Sequence, residues 1–121
     1  LTRPGTVFRI FANSKTLEVP VEPASDGLAG EEQMAVRVYK ALGHPQRFRI
    51  VRLLTRQEEV GCAELMALLG LSAPALSHHT RILQECGLLS VRREGPYHFF
   101  RLRRAQLARF APWLLSAAPA P

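Results

Sequence analysis

The spacing of apolar residues changes period twice between residues 62 and 102, CAELMALLGLSAPALSHHTRILQECGLLSVRREGPYHFFRL. Leu65, Met66, Leu68 and Leu69 recur at helical intervals and predict a short helix over 62–69 with one buried stripe. Gly70 supplies a residue that turns with positive φ. Ser72 is a good N-cap, and Pro74 sits in the first turn, where its missing N–H is not needed. Leu76, His79, Leu83 and Cys86 then repeat every three or four residues, predicting a second helix that Gly87 ends. Beyond Gly87 the period falls to two. Leu89, Val91 and Arg93 alternate with Ser90 and Arg92, Glu94-Gly95-Pro96 interrupts, and residues 97–102 resume the pattern, a β-hairpin signal. Helix, turn, helix and basic hairpin is the layout that sets one helix in a DNA major groove with a finger beside it.

The flanks add helices. Over residues 31–42, Met34, Val38, Tyr39 and Leu42 share one face, and Gly43-His44-Pro45 separates that helix from the next. His44 suits a cap better than a ligand. Phe48, Ile50, Val51, Leu53 and Leu54 make the following helix apolar nearly all round, which predicts a central position, with residues 57–59 as its polar exit. Residues 105–116 carry Leu107, Phe110, Ala111, Trp113, Leu114 and Leu115, with Pro112 expected to kink the helix or begin a final short turn. That is more apolar surface than a terminal helix on a small monomer needs. It predicts a twofold homodimer in which Leu107, Phe110, Trp113 and Leu114 pack on Met34 and Val38 of a second copy. The fold class expected is mainly α, a winged helix-turn-helix of about five helices spanning 31–116. Residues 6–11 and 16–21 flank 12–15 as a second hairpin. Pro20 confines its second strand to an edge, and residues 23–30 form a linker. Residues 1–30 are thus an extension, expected to dock on the body, and 117–121 a disordered tail.

Charge sharpens the picture because it is uneven. The chain has 121 residues and a formal net charge of +6. Residues 72–104 hold six arginines against two acids, a net +4, whereas residues 1–33 are net −2. Arginine forks match phosphate oxygens and displace condensed counterions, so the basic module points to double-stranded DNA. With 47% hydrophobic residues, the composition is that of one globular domain. No membrane span or secretory leader is legible, which sets a cytoplasmic expectation. No nucleophile–base pair, paired carboxylates or Gly-rich phosphate loop suggests an enzyme.

Three blocks in order, ALGHPQRFRIVRLL, CAELMALLGLSAPALSHHTRILQECGLL and RREGPYHFFRL, resemble the ArsR/SmtB family of winged-helix repressors. The resemblance covers residues 39–102. It implies a dimer that binds operator DNA through residues 72–86 as recognition helix and residues 92–101 as wing. The implied contacts are Ser72, Ala73, Ala75, Ser77, His78 and Arg81 from the helix, and Arg92, Arg93 and Arg101 from the wing. Ser77 and His78 can hydrogen-bond base edges or phosphate, Arg81 suits a phosphate, and Ala75 can touch a thymine methyl. His79 is expected to face the core. Ala73 stands where the family often has Gln, so readout should lean more on DNA shape. Thr80 replaces the usual Leu and is expected to loosen local packing. The alternative is a winged-helix protein-interaction or architectural nucleic-acid-binding module.

The family's metal sites lack their ligands in this sequence. Gly61 and Ala63 occupy the two positions of the Cys-x-Cys site, with Cys62 between them. Beyond Glu94 there is no Asp, Glu or Cys, and His98 is the lone His, so the last-helix site has no donors. No metal or other cofactor is expected. Cys62 and Cys86 read either as a redox pair or as small core residues. An organic ligand or control by abundance remains, and the inducer stays unidentified.

Overall fold

A computed structural model describes residues Val7–Arg9, Glu18–Pro20 and 27–116. It comprises two compact units, residues 1–33 and 34–121. In the first, β1 (Val7–Arg9) pairs antiparallel with β2 (Glu18–Pro20), with Phe8 opposite Val19. These strands fall within residues 6–11 and 16–21, read above as a hairpin. Its turn, most of the linker and residues 117–121 lie outside the described residues.

The second unit is a winged helix. Helix α1 (Gly30–Leu42), whose first four residues belong to the first unit, leads to α2 (Pro45–Arg56), and a two-residue strand β3 (Val60–Gly61) runs into α3 (Cys62–Leu69). Helix α4 (Ala73–Glu85) follows, then the hairpin β4 (Leu89–Glu94) and β5 (Tyr97–Leu102). Two short helices, α5 (Arg104–Phe110) and α6 (Trp113–Ser116), end the described chain. Six helices are described where about five were expected, because Pro112 divides the last one. β3 had no sequence signal. It pairs with β5, giving a three-stranded antiparallel sheet in the order β3-β5-β4.

Local chemistry explains the boundaries. His44 caps α2, its Nδ1 accepting from the Gln46 N–H at 3.1 Å, with Pro45 in the first turn. The Ser72 hydroxyl caps α4 by accepting from the Ala75 N–H at 3.3 Å. At the wing tip a two-residue turn holds Gly95 at φ 58°. Pro96 cannot adopt positive φ, so this is the II′ geometry, and Gly95 must supply the left-handed position. Gly87, at φ 82°, is constrained twice: a Cβ there would also lie 3.0 Å from Gln106 Nε2, whose N–H donates to the Cys86 carbonyl.

The core centres on α2, where Ile50, Val51 and Leu54 are buried as expected, but Arg49, Arg52 and Arg56 are exposed, so the helix is two-faced and not apolar all round. Leu65, Leu76, Leu83, Leu88, Leu89, Phe100 and Leu107 complete it. Two further expectations need correction. On α3 Leu65 is buried, but Leu68 is 54% exposed, because an eight-residue helix turns only one side to the core. Val38, Leu107 and Leu114 are buried within this single chain, so they are not free surface for a second copy. Their helical stripe is consumed by their own domain. No helix among the described residues is long and apolar enough to cross a membrane.

Leu83→Ala should lower unfolding free energy by about 2–5 kcal/mol, whereas Leu68→Ala should change it by less than about 0.5 kcal/mol. Urea denaturation of both variants checks the assignment; similar losses would show that α3 is rotated from the described position.

Candidate nucleic-acid interface

Helix α4 divides cleanly into two faces. Leu76, His79, Thr80 and Leu83 turn inward, while Ala73, Ser77, His78 and Arg81 are exposed and Ala75 is half-buried. The inward polar residues are satisfied internally. Thr80 Oγ1 donates to the Leu76 carbonyl at 2.9 Å and contacts the Ser77 carbonyl at 3.3 Å, so the hydroxyl in place of Leu is absorbed by the helix. His79 is 8% exposed, a core histidine as expected. Its Nδ1 accepts from Arg47 Nη1 at 3.4 Å, which puts the proton of the neutral ring on Nε2. The His44 ring lies 4.6 Å from it, centroid to centroid, and the His78 ring 5.3 Å. Burial, reinforced by the charges of His44, Arg47 and His78, holds the His79 pKa below its ordinary value.

The hairpin register sorts the wing residues. Leu89 pairs with Leu102, Val91 with Phe100 and Arg93 with His98, so these six share the side toward α4. Arg93 and His98 flank a groove of about 220 Å³ whose other wall includes Ala73, Ser77, Arg81 and Gln84. Arg92, Phe99 and Arg101 lie on the opposite side. There the Arg92 guanidinium donates to both carboxylate oxygens of Glu59, at 2.9 and 3.0 Å, and to Glu94 at 3.1 Å. It also stands 4.5 Å from the centre of the Phe99 ring. Arg101 approaches Glu59 at 3.7 Å. The hydrogen bond from Arg92 holds the Glu59 carboxyl below the usual carboxylate range.

The nine expected DNA contacts are therefore not equivalent. Ala73, Ser77, Arg81 and Arg93 line one groove, Ser72, Ala75 and His78 lie outside its lining, and Arg92 and Arg101 are paired on the far side of the sheet. His98, by contrast, was missed. Its alternation with Phe99 and its position opposite Arg93 were the available signal. Glu59, read as a polar helix exit, ties the wing to the segment before α3. Arg104 is also structural, donating to the Leu54 and Thr55 carbonyls at the end of α2.

The thiols are separate. Cys62 is half-buried beside α4, and Cys86 is buried, its Sγ donating to the Leu83 carbonyl at 3.4 Å. They line different cavities, and burial pushes the Cys86 thiol up. Among the described residues no cluster of three or more His, Cys, Asp or Glu side chains is arranged to hold a metal ion.

A capped recognition helix beside a basic hairpin, both hung on the buried face of a central helix, defines a winged helix-turn-helix DNA-binding transcriptional regulator. Sequence comparison agrees. The profile of the family described as bacterial regulatory protein, arsR family, matches residues 44–91. An uncharacterized HTH-type transcriptional regulator of Methanocaldococcus jannaschii is 31% identical over 68 residues, which are 56% of this chain and 76% of that protein. A cadmium resistance transcriptional regulatory protein CadC homolog of Staphylococcus aureus is 30% identical over 86 residues, 70% of this chain and 71% of the relative. Among solved structures, the transcriptional repressor BigR of Xylella fastidiosa superposes with a TM-score of 0.61 at 28% identity, covering 75% of this chain and 92% of that one. The chain belongs to the ArsR family.

The His79 environment gives a signed pH dependence. Its folded pKa is depressed, so the unfolded chain binds the proton more readily, and stability rises with pH through that region. The His79 contribution is complete above about pH 6.5, the unfolded value, and is lost as pH falls toward the folded one. Urea midpoints between pH 7.5 and 5 should fall less in His79→Gln than in the parent; an unchanged pH profile would contradict a buried neutral imidazole.

Proposed function

We propose that this protein is a repressor that binds an inverted-repeat operator as a homodimer. The observation that carries this reading is the groove between α4 and the wing, where Ser77, Arg81, Arg93 and His98 converge from α4, β4 and β5. In it, α4 enters the major groove with Ala73, Ala75, Ser77 and His78 toward base edges. Ser72 and Arg81 lie toward phosphates. Ala75 and Ala73 offer methyl contacts rather than amide readers, so much of the discrimination comes from DNA shape. Arg93 and His98 follow the adjacent backbone. Arg92 and Arg101 hold the hairpin at its angle through Glu59 and contribute to DNA chiefly as positioned charge. Relatives support repression: the BigR structure is named a transcriptional repressor, as is SdpR of Bacillus subtilis.

Dimerisation rests on what α1, α5 and α6 leave uncovered. Trp113 is 60% exposed and Tyr39 54%, unusual for residues so large. Phe48 lies 6.2 Å from the Trp113 ring, and the Tyr39 hydroxyl donates to the Phe110 carbonyl at 3.0 Å, so these aromatics form one surface. Met34, Phe110 and Trp113 keep the interface role expected of them, and Tyr39 joins in place of the buried Val38, Leu107 and Leu114. Aromatic anchors of this kind dominate interface energetics.

Two measurements test the proposal. In fluorescence anisotropy with the chain's own upstream duplex, Arg93→Ala should weaken binding and reduce the salt slope by about 1, the signature of a lost phosphate contact. Arg92→Ala should change the slope less. Equal slopes in both variants, or equal parent affinity for random duplex, would overturn the assignment. In sedimentation analysis, Trp113→Ala should raise the dimer dissociation constant by about thirtyfold or more; an unchanged constant would place the interface elsewhere.

A further inference from the structure

A second cavity, of about 580 Å³, lies between α1, α2 and the C-terminal half of α4, away from the groove at the wing. Its size is that of a small-molecule site. Three cations line it, Arg37 and Lys40 from α1 and Arg47 from α2, against one carboxylate, Glu85. Its apolar lining is Ala41, Ile82 and Cys86, of which Ala41 and Cys86 are buried. Arg47 is fixed in place: its Nε donates to the Ala41 carbonyl at 2.7 Å and its Nη2 reaches the Lys40 carbonyl at 3.5 Å. Among the described residues, the side chains of Arg37, Lys40 and Glu85 make no ion pair. The wall thus combines one preorganised guanidinium, two exposed cations and an apolar floor.

We propose that this cavity binds a small organic acid, a carboxylate carrying an apolar body, and that its occupancy is felt by the recognition helix. The carboxylate meets Arg47, Arg37 and Lys40, because a planar guanidinium matches a carboxylate in a charge-assisted pair. The apolar body covers Ala41, Ile82 and Cys86. A bare phosphate would use the cations and leave that floor in water, and a neutral hydrocarbon would leave the cations unmatched. DNA is a poor occupant, because Ile82, Glu85 and Cys86 lie at the far end of α4 from Ala73 and Ser77.

The route to DNA is short and physical. Arg47 bridges the cavity to His79, which sits on α4 between the outward residues Ser77, His78 and Arg81. A carboxylate drawing on the Arg47 guanidinium competes with that contact, and Ile82 and Cys86 of the same helix form the ligand's floor. Ligand and operator are therefore linked through one rigid element, and each must alter the other's affinity by the same factor. This coupling deepens the regulatory reading given above and rests on it; the binding of the acid itself does not.

Octanoate is a suitable probe, with octanamide and inorganic phosphate as its neutral and bare-anion counterparts. Titrated into the full chain without DNA, octanoate should saturate one site per protomer and shift the backbone amide resonances of Ala41, Ile82 and Cys86. Octanamide and phosphate should each bind about tenfold more weakly or worse. The double variant Arg37→Ala/Lys40→Ala changes two exposed side chains and should keep the parent's urea midpoint while losing about tenfold or more in octanoate affinity. Equal binding of octanamide, saturation at Leu53, Leu68 and Leu69 instead, or an unaffected double variant would each overturn the site. If the double variant instead weakens operator binding and lowers its salt slope in the absence of octanoate, these cations are phosphate contacts and the proposal fails. With the site saturated, duplex affinity should change by about fivefold or more; no change would sink the coupling. A parent chain that ignores its duplex even without octanoate would count against the repressor reading alone.

Discussion

The burial of Ile50, Val51 and Leu54 on α2 sets the position of everything that could touch DNA. Helix α2 contacts α3, α4, α6 and β5, so the helix-turn-helix, the wing and the end of the described chain all take their places from one helix face. Each such side chain stabilises the fold by roughly 1.5–3 kcal/mol on burial. The same helix is bracketed by polar devices: His44 caps its start, and the Arg104 guanidinium takes the carbonyls at its end. Because both ends are satisfied, α2 can be apolar in the middle without fraying at its limits.

Most of the architecture was legible because it rests on short-range rules. Period 3.6 marked α1 and α4, a dense apolar run marked α2, period 2 marked the hairpin, and Ser72, Pro45, Gly87 and Gly95 fixed boundaries through their backbone chemistry. Strand β3 was illegible for the opposite reason. Two residues carry no period, and their pairing to Phe99 and Phe100 is formed across the fold. The apolar faces of α1, α5 and α6 were half legible. A hydrophobic stripe shows that a helix buries a face, but not whether its own chain or a second copy does the burying. Val38, Leu107 and Leu114 went to the first use.

Charge counting overstated the DNA surface in a similar way. Composition treats the arginines of residues 72–104 as equal, yet Arg104 caps a helix, Arg92 is held by Glu59 and Glu94, and Arg101 lies close to Glu59. Arg81 and Arg93 make no ion pair among the described residues. The groove therefore has a small set of exposed cations, and part of the frame that carries them is itself built from cations. Period 2 could have separated Arg93 from Arg92, since adjacent strand residues face opposite ways. What it could not supply was the position of Glu59, which lies 33 residues earlier in the chain.

The strand order has a bearing on how such a molecule survives at high concentration. With β5 in the middle, β4 is an outer strand whose far side has no partner in the sheet. An unpaired strand edge is a template for polymerisation by backbone pairing. Here that edge carries Arg92, Arg93 and Glu94 beside a proline-containing turn, and charged side chains on an edge strand disfavour stacking of a second copy. The residues that shape the wing thus also act as gatekeepers against fibre growth, a duty independent of any nucleic acid.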